Sequence, residues 1–136
     1  MKTLYYYFLF VLPLIGLSQD SYKNTYNGEK ITHTRYSLSY IEDHEQAEWV
    51  YYKLNSSLLM GVTKRSNNFR SDPKIISGSA KLSDYRKSGY DRGHLAPAGD
   101  MKSSQHTMSE SFFMSNMSPQ LPSFNRGGWK KLESLV

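Results

Sequence analysis

Three side chains suited to acid–base and phosphate chemistry lie within four positions of this chain: Asp91, Arg92 and His94, in the run GYDRGHLAPAGDM of residues 89–101. An imidazole with an ordinary pKa of about 6.5 can take a proton from water near neutral pH. The planar guanidinium of Arg92 matches two phosphate oxygens. Gly93 permits close backbone approach or a φ that other residues avoid. The cluster favours a hydrolytic site with His94 as base; the alternative is a buried, hydrogen-bonded histidine in a turn.

A second polar motif, FNRGGWKKLE of residues 124–133, begins 30 residues after His94. Asn125 offers a neutral oxygen at the start of a predicted helix, and Glu133 follows about two turns later. Hard cations such as Mg²⁺ prefer oxygen ligands and keep several of their waters. An amide ligand with a carboxylate acting through water would suit such an ion. The alternatives are an ordinary helix N-cap for Asn125 and a solvated helix charge for Glu133.

Length and composition set bounds on the kind of protein. The chain has 136 residues, enough for one domain, and carries a formal net charge of +5. This basic excess permits attraction to polyanions such as nucleic acid, although it is weak evidence by itself. There is no cysteine, so disulfides and thiolate metal sites are excluded.

The N-terminus has the pattern of a secretory signal. Lys2 precedes an apolar run from Leu4 to Leu17 that contains Pro13 and ends near small residues. The run is short for a membrane span. It predicts a signal peptide over residues 1–18 and a secreted or periplasmic protein, with an uncleaved anchor as the alternative.

After the predicted signal peptide, the first half of the chain predicts a polar leader followed by a β-hairpin. Residues 19–33 are polar and are interpreted as a loose leader. Residues 34–41 alternate in polarity and residues 49–54 are aromatic-rich, so two antiparallel strands are predicted around a charged turn at 41–46. Residues 58–62 predict a third strand.

The middle of the chain is a long polar segment followed by shorter elements. Residues 63–88 predict a loop, and loops of this length in compact domains are commonly functional or disordered. Residues 90–95 predict a short strand, residues 103–110 a helix capped by one of its first two serines, and residues 111–116 another strand.

The last predicted helix begins at Asn125. Trp129, Leu132 and Val136 share one helical face. Because the sequence stops within this helix, without a capping residue, residues 34–136 are expected to be the N-terminal part of a longer domain.

Three segments together carry a family resemblance. SGYDRGHLAPAGDM, FFMSNMSPQ and FNRGGWKKLE, in this order, resemble the signature of the DNA/RNA non-specific endonucleases, the endonuclease G-like ββα-metal (His-Me finger) nucleases. Weaker agreement covers roughly residues 36–135. The resemblance implies an α+β fold in which an antiparallel sheet carries the ββα-metal site, and hydrolysis of DNA and RNA without sequence preference. In this family the domain continues beyond the last helix, so we expect residues 34–136 to lack its C-terminal part.

The resemblance also implies roles for the motif residues. His94 resembles the general base that activates the attacking water. Asn125 resembles the lone protein ligand of one Mg²⁺ or Mn²⁺ ion, and Glu133 resembles the acid that orients water on that ion.

Further residues resemble groups that hold the substrate or the site. Arg92 and Arg65 resemble arginines that bind the scissile phosphate, with Arg70 competing for the place of Arg65. Asp91 and Asn116 resemble supporting residues that fix the geometry.

Two other classes of function stay open at this stage. One is a nucleic-acid-binding module that does not cut, and the other is a fragment that does not fold alone. The remaining histidines, His33, His44 and His106, lack chemically suggestive neighbours in sequence and are interpreted as structural.

Overall fold

The computed structural model describes residues 27–135, except for the side chains of residues 57 and 58. It is an α+β structure whose larger sheet has three antiparallel strands: β1 (Glu29–Thr32), β2 (Tyr36–Ile41) and β3 (Gln46–Tyr52). Strand β2 is central, and a register shift interrupts its pairing with β3 after Ser39. The predicted signal peptide, residues 1–18, lies outside the described residues and stays a prediction. Between residues 27 and 135, no helix has the length and apolarity needed to cross a membrane.

A second antiparallel pair is followed directly by a helix. Strand β4 (Asp91–His94) pairs with β5 (Met117–Gln120). The chain then forms a π-helical segment, Phe124–Trp129, that continues as the last helix (Lys130–Glu133). This strand–strand–helix unit is the ββα arrangement that the sequence resemblance implied.

The other helices are short and connect the two strand units. The α-helices are α1 (Ser56–Leu59), α2 (Leu82–Tyr85) and α3 (Gln105–Glu110), so that the last helix is α4. Three 3₁₀ turns lie at Glu42–His44, Ala98–Met101 and Met114–Asn116. The predicted cap of α3 is confirmed at Ser104, whose hydroxyl accepts a hydrogen bond from the Thr107 backbone N–H at 3.1 Å.

The core consists of three clusters. The largest packs the inner face of the three-stranded sheet, including Leu38 and Tyr40, against Met101. The two smaller clusters centre on Met114 and Phe112, and Phe69 packs against both. Phe69 therefore joins the loop before α2 to the segment that leads into β5.

Two predictions about the first sheet were wrong. Residues 58–62 do not form a strand: the first two belong to the end of α1, and Met60 and Val62 are 81% and 95% exposed. The third strand is instead β1, inside the segment that was interpreted as a loose leader. Its sequence, EKIT, buries only Ile31, which is too little alternation to predict a strand.

The predicted strand at residues 111–116 was also wrong. These residues form a turn and the 3₁₀ turn Met114–Asn116, and their apolar side chains are buried in the core. Their pairing is limited to an isolated parallel bridge between Phe113 and Arg70. The strand that pairs with β4 comes next and contains Pro119, opposite Arg92. Proline is tolerated because β5 pairs only with β4 in the described part of the chain, which makes it an edge strand.

Candidate active site

Strand β4 holds the clustered residues in place through its tight pairing with β5. Gly93 lies opposite Ser118, and the side chain of Gln120 crosses over it. A Cβ atom at position 93 would lie 2.1 Å from Gln120 Cδ. Gly93 is therefore required because the strands pack closely there. It is not required for a positive φ, which among the described glycines occurs at Gly78 and Gly89.

His94 is packed into an aromatic wall. Its side chain lies edge-on to Phe112 and Phe69, with ring centroids 4.9 and 5.8 Å away, and the residue is 6% exposed. The Trp129 indole N–H donates a 3.1 Å hydrogen bond to the His94 carbonyl oxygen. Helix and strand are thus fixed to each other at the residue whose ring is the candidate base.

The surroundings of His94 keep its ring neutral. Burial lowers its pKa to about 3, and the positive charges of Arg65 and Arg92 act in the same direction. Nε2 is buried and has no hydrogen-bond partner among the described residues. Nδ1 also makes no hydrogen bond within residues 27–135, but unlike Nε2 it is not fully buried there, so it is the ring nitrogen that solvent can reach.

Two arginines flank this histidine on the same aromatic wall. The Arg92 guanidinium carbon lies 4.1 Å from the Phe69 ring centroid, and that of Arg65 lies 4.9 Å from the Phe112 centroid. Stacking fixes the planes of both guanidinium groups. Arg65 Nε donates a 2.9 Å hydrogen bond to Asn67 Oδ1, which leaves its two terminal nitrogens to bind anions.

Arg70, the alternative to Arg65, is held elsewhere. Its guanidinium carbon lies 4.0 Å from the Phe113 ring centroid, and Nη1 donates to the carbonyl oxygens of Asn68 and Ser109 at 3.1 and 2.9 Å. The structure therefore places Arg65, and not Arg70, beside His94.

Asn125 lies within a helical turn, so the N-cap interpretation is wrong. Residues 122 and 123 are already helical, and the Asn125 backbone N–H donates to the Leu121 carbonyl oxygen at 2.9 Å. Its side-chain Nδ2 donates to Asp91 Oδ2 at 3.0 Å. No hydrogen bond to Asn125 Oδ1 is formed by the described residues, so the amide oxygen is the atom available to a ligand.

Asp91 also binds an arginine that the sequence did not single out. Arg126 donates from Nε to Asp91 Oδ2 at 2.8 Å and from Nη2 to Oδ1 at 2.7 Å. This bidentate pair, assisted by Asn125, lowers the pKa of Asp91 to about 2. Asp91 is therefore an anion whose contacts run to the helix rather than to His94.

Asn116 supports the site from a distance. It is fully buried, accepts a 2.9 Å hydrogen bond from the Ala96 N–H and donates to the carbonyl oxygens of Ala96 and Ser111. These bonds fix the turn after β4 against the end of α3.

Glu133 is half-buried, which contradicts the interpretation as a solvated helix charge. Burial raises its pKa; Arg65 opposes this shift and Asp100 adds to it. Asp100, the last acid of the opening motif, accepts a 2.9 Å hydrogen bond from the Tyr52 hydroxyl. The charge of Arg65 thus acts on both the candidate base and Glu133.

The donor set at Asn125 fits a hard cation that keeps most of its waters. The described residues contain no group of three or more His, Cys, Asp or Glu side chains able to hold a metal. One amide oxygen, freed because Asp91 takes the amide nitrogen, agrees with the preference of Mg²⁺ for few protein oxygens.

Three of the predicted site residues, Asp91, Arg92 and Asn125, line a cleft of about 490 Å³. Its other lining residues are Phe69, Leu82, Tyr85, Arg86 and Tyr90. His94 is not part of this lining, although its ring contacts that of Phe69.

Residues 17–136 match the family of DNA/RNA non-specific endonucleases. The chain belongs to that family. Its endonuclease relatives include the mitochondrial nuclease EXOG of Danio rerio, 44% identical over 103 residues, and a nuclease of Nostoc sp., 43% identical over 101 residues. These matches cover 74% and 73% of this chain but 30% and 36% of the relatives. The chain therefore spans about a third of their length.

Solved structures agree with this membership. A chain in the crystal structure of the EndoG/EndoGI complex superposes with a TM-score of 0.73 at 34% identity. The match covers 80% of this chain and 46% of that one. The ββα-metal fold expected of a DNA/RNA non-specific endonuclease is thereby confirmed.

Within this candidate site, sequence reasoning missed three contributors. Arg126, Phe69 and Asp100 each contact or face a predicted site residue. Arg126 and Asp100 lie inside the quoted motifs, so their positions in the sequence could have marked them as site residues. Phe69 lies in a long polar loop, and only the packing of Arg92 on its ring reveals its part.

Proposed function

We propose that this chain carries the catalytic part of a metal-dependent endonuclease that hydrolyses phosphodiester bonds of DNA and RNA without sequence specificity. The observation that supports it is a ββα unit that carries a neutral histidine, a stacked arginine and an amide oxygen left available to a ligand, with Arg65 reaching the same histidine from the loop before α2. Phosphate contacts rather than base contacts explain the absence of sequence preference.

His94 acts as the general base in this proposal. Its solvent-accessible Nδ1 accepts a proton from the attacking water, because burial and the neighbouring arginines keep the ring unprotonated. Arg92 and Arg65 bind the phosphate and offset the negative charge that grows on it. A phosphate between them would in turn raise the proton affinity of the imidazole, since it offsets their charge.

Asn125 would hold Mg²⁺ or Mn²⁺ through its amide oxygen, and Glu133 would accept hydrogen bonds from nearby water. The ion, when bound, supplies Lewis-acid stabilisation of charge on the phosphate and leaving oxygens. Cleavage on this scheme leaves a 5′-phosphate and a 3′-hydroxyl, as the family resemblance implies.

Plasmid and RNA cleavage by the full chain tests this function. We expect Mg²⁺- or Mn²⁺-dependent cutting that EDTA abolishes. His94→Ala should lower the rate by roughly 10²–10⁴-fold. His106→Ala is the matched control, since its side chain is 71% exposed and remote from these groups. Cutting in EDTA, or equal rates for both variants, would contradict the proposal.

A Mg²⁺ titration separates the role of Asn125 from a structural one. Asn125→Ala should cripple the rate, because the amide oxygen is lost, and Asn125→Asp should shift the Mg²⁺ dependence, because a charge is added. Superimposable titration curves for parent, Ala and Asp variants would place the metal elsewhere.

Salt dependence tests the phosphate contacts. In EDTA, where the parent binds without cutting, affinity for an oligonucleotide should fall linearly with salt on a logarithmic scale. Arg92→Ala should reduce that slope by about 1, since one phosphate contact is lost. Two oligonucleotides of unrelated sequence should bind alike, and a marked preference or a flat salt profile would argue against non-specific phosphate binding.

A further inference from the structure

Three side chains form a short chain of hydrogen bonds at the edge of the cleft: Arg126, Asp91 and Asn125. Arg126 donates hydrogen bonds to both carboxylate oxygens of Asp91, at 2.7 and 2.8 Å, and Asn125 Nδ2 donates a third to Asp91 Oδ2 at 3.0 Å. The Asp91 side chain is 18% exposed and that of Arg126 is 72% exposed. The arginine therefore covers the carboxylate from the solvent side.

This arrangement decides which end of the amide is free. A carboxylate can only accept hydrogen bonds, so Asn125 must turn its N–H₂ group toward Asp91 and its oxygen away. Asn125 and Arg126 are neighbours in sequence, and both reach the same carboxylate from the π-helical segment Phe124–Trp129. Such segments are frequent at functional sites, where they redirect side chains.

The carboxylate would itself be a strong ligand for a hard cation. Carboxylate oxygens bind Mg²⁺ and Mn²⁺ more strongly than a neutral amide does, because they are charged. Asp91 lies within hydrogen-bonding distance of Asn125, so a cation at the amide oxygen would be close to it. Among the described residues, Arg126 alone donates hydrogen bonds to both carboxylate oxygens.

We infer that Arg126 is a positioning residue that keeps Asp91 a hydrogen-bond acceptor and prevents it from becoming a second, anionic metal ligand. This inference rests on the proposed function, in which Asn125 holds the ion. A single neutral protein ligand leaves the cation its full charge, whereas a carboxylate ligand would weaken its attraction for a phosphate oxygen. Arg126 thus favours catalysis at the expense of metal affinity.

The test is direct binding of Mn²⁺ to the full chain, measured by the electron paramagnetic resonance signal of free Mn²⁺. Arg126→Ala should bind Mn²⁺ about tenfold more tightly than the parent, because Asp91 is released as a ligand, while its maximal cleavage rate falls by at least about tenfold. Arg126→Lys should be intermediate, since an ammonium cannot occupy both oxygens in one plane.

Two controls isolate the carboxylate. Lys130→Ala removes an equal charge from an exposed position on the same helix and should change the Mn²⁺ affinity less than twofold. Adding Asp91→Asn to Arg126→Ala should abolish the gain in affinity. A shift for Arg126→Ala no larger than that for Lys130→Ala, or weaker binding, overturns the inference.

The outcomes also separate this inference from the proposed function. A parent chain that neither binds Mn²⁺ nor cleaves in its presence refutes both. If the parent binds Mn²⁺ and cleaves, and both Arg126→Ala and Arg126→Lys bind Mn²⁺ as tightly as the parent does, only the role of Arg126 is refuted. A melting curve for every variant shows whether it is folded. If Arg126→Ala does not fold, Arg126→Lys still tests the inference, because it keeps the positive charge and loses the two-pronged hydrogen bond.

Discussion

At the scale of single residues, His94 is defined by an environment that opposes its charge. The ring lies against Phe69 and Phe112 and has Arg65 and Arg92 as charged neighbours, so its pKa falls from 6.5 to about 3. A histidine in the unfolded chain still takes up a proton at about pH 6.5. Between these two pH values the unfolded state therefore binds more protons than the folded state. The contribution of His94 to the free energy of unfolding is fully present above pH 6.5 and is lost as the pH falls toward 3.

This difference predicts a measurable loss of stability in mild acid. Between pH 7 and pH 5 the free energy of unfolding should fall by about 2 kcal/mol through His94 alone. His94→Gln, which cannot titrate, should lack this part of the decline, while the exposed His106→Gln should follow the parent. Urea unfolding at pH 7 and pH 5 measures the free energy of unfolding. Equal declines for the parent and His94→Gln would contradict the conclusion that burial lowers the pKa of His94.

At the scale of elements, the site depends on how closely β5 lies over β4. The Gln120 side chain fills the space above Gly93, and the residues on either side of that glycine, Arg92 and His94, project from the same strand. Trp129 then binds the His94 carbonyl oxygen from the following helix. The glycine therefore sets the separation of the two strands at His94 and Arg92, the proposed base and the proposed phosphate-binding arginine.

Gly93→Ala should destabilise the fold by about 1–3 kcal/mol, because the new Cβ overlaps the Gln120 side chain and must displace it. Gly93→Ala combined with Gln120→Ala should recover part of that loss, since the overlapping atoms are gone. A double-mutant cycle from thermal unfolding measures the coupling. Additive effects of the two substitutions would show that the contact does not limit the pairing.

At the scale of the whole molecule, a buried polar network joins segments far apart in sequence. His33, just after β1, shares a 2.8 Å contact between Nε2 and Asp72 Oδ2, and the Ser115 hydroxyl donates to the same oxygen. Burial alone raises the pKa of Asp72, but these hydrogen bonds outweigh it and hold the pKa below its ordinary value. The first strand, the long loop and the turn before β5 are thereby linked at one carboxylate.

His33→Ala should destabilise the chain by about 3 kcal/mol, because it leaves the buried Asp72 carboxylate short of a partner. His106→Ala is the matched control: both histidines lie within 4 Å of a Glu110 oxygen, but the His106 side chain is 71% exposed. Its effect should stay within about 0.5 kcal/mol. Equal melting temperatures for the two variants would show that the network contributes little.

The sequence by itself determined the family, because three motifs occur in the family's order. The side-chain types in GYDRGHLAPAGDM and FNRGGWKKLE favour proton transfer, phosphate binding and a hard cation, and these roles stay predictions. Strand β4 and the cap of α3 were also predictable, because both depend on neighbours within a few residues. The structural interpretation of His33 was confirmed, although its partners were not foreseen.

Only the tertiary structure decided what depends on distant contacts. The choice of Arg65 over Arg70 follows from which phenylalanine each guanidinium covers. The sheet received β1 from an almost featureless segment, because pairing with β2 stabilises a strand that its own sequence does not predict. The free oxygen of Asn125 exists because Asp91, 34 positions away, takes the amide nitrogen. Local patterns carry no information on such pairings, since the free energy that fixes them is gained only when the distant groups meet.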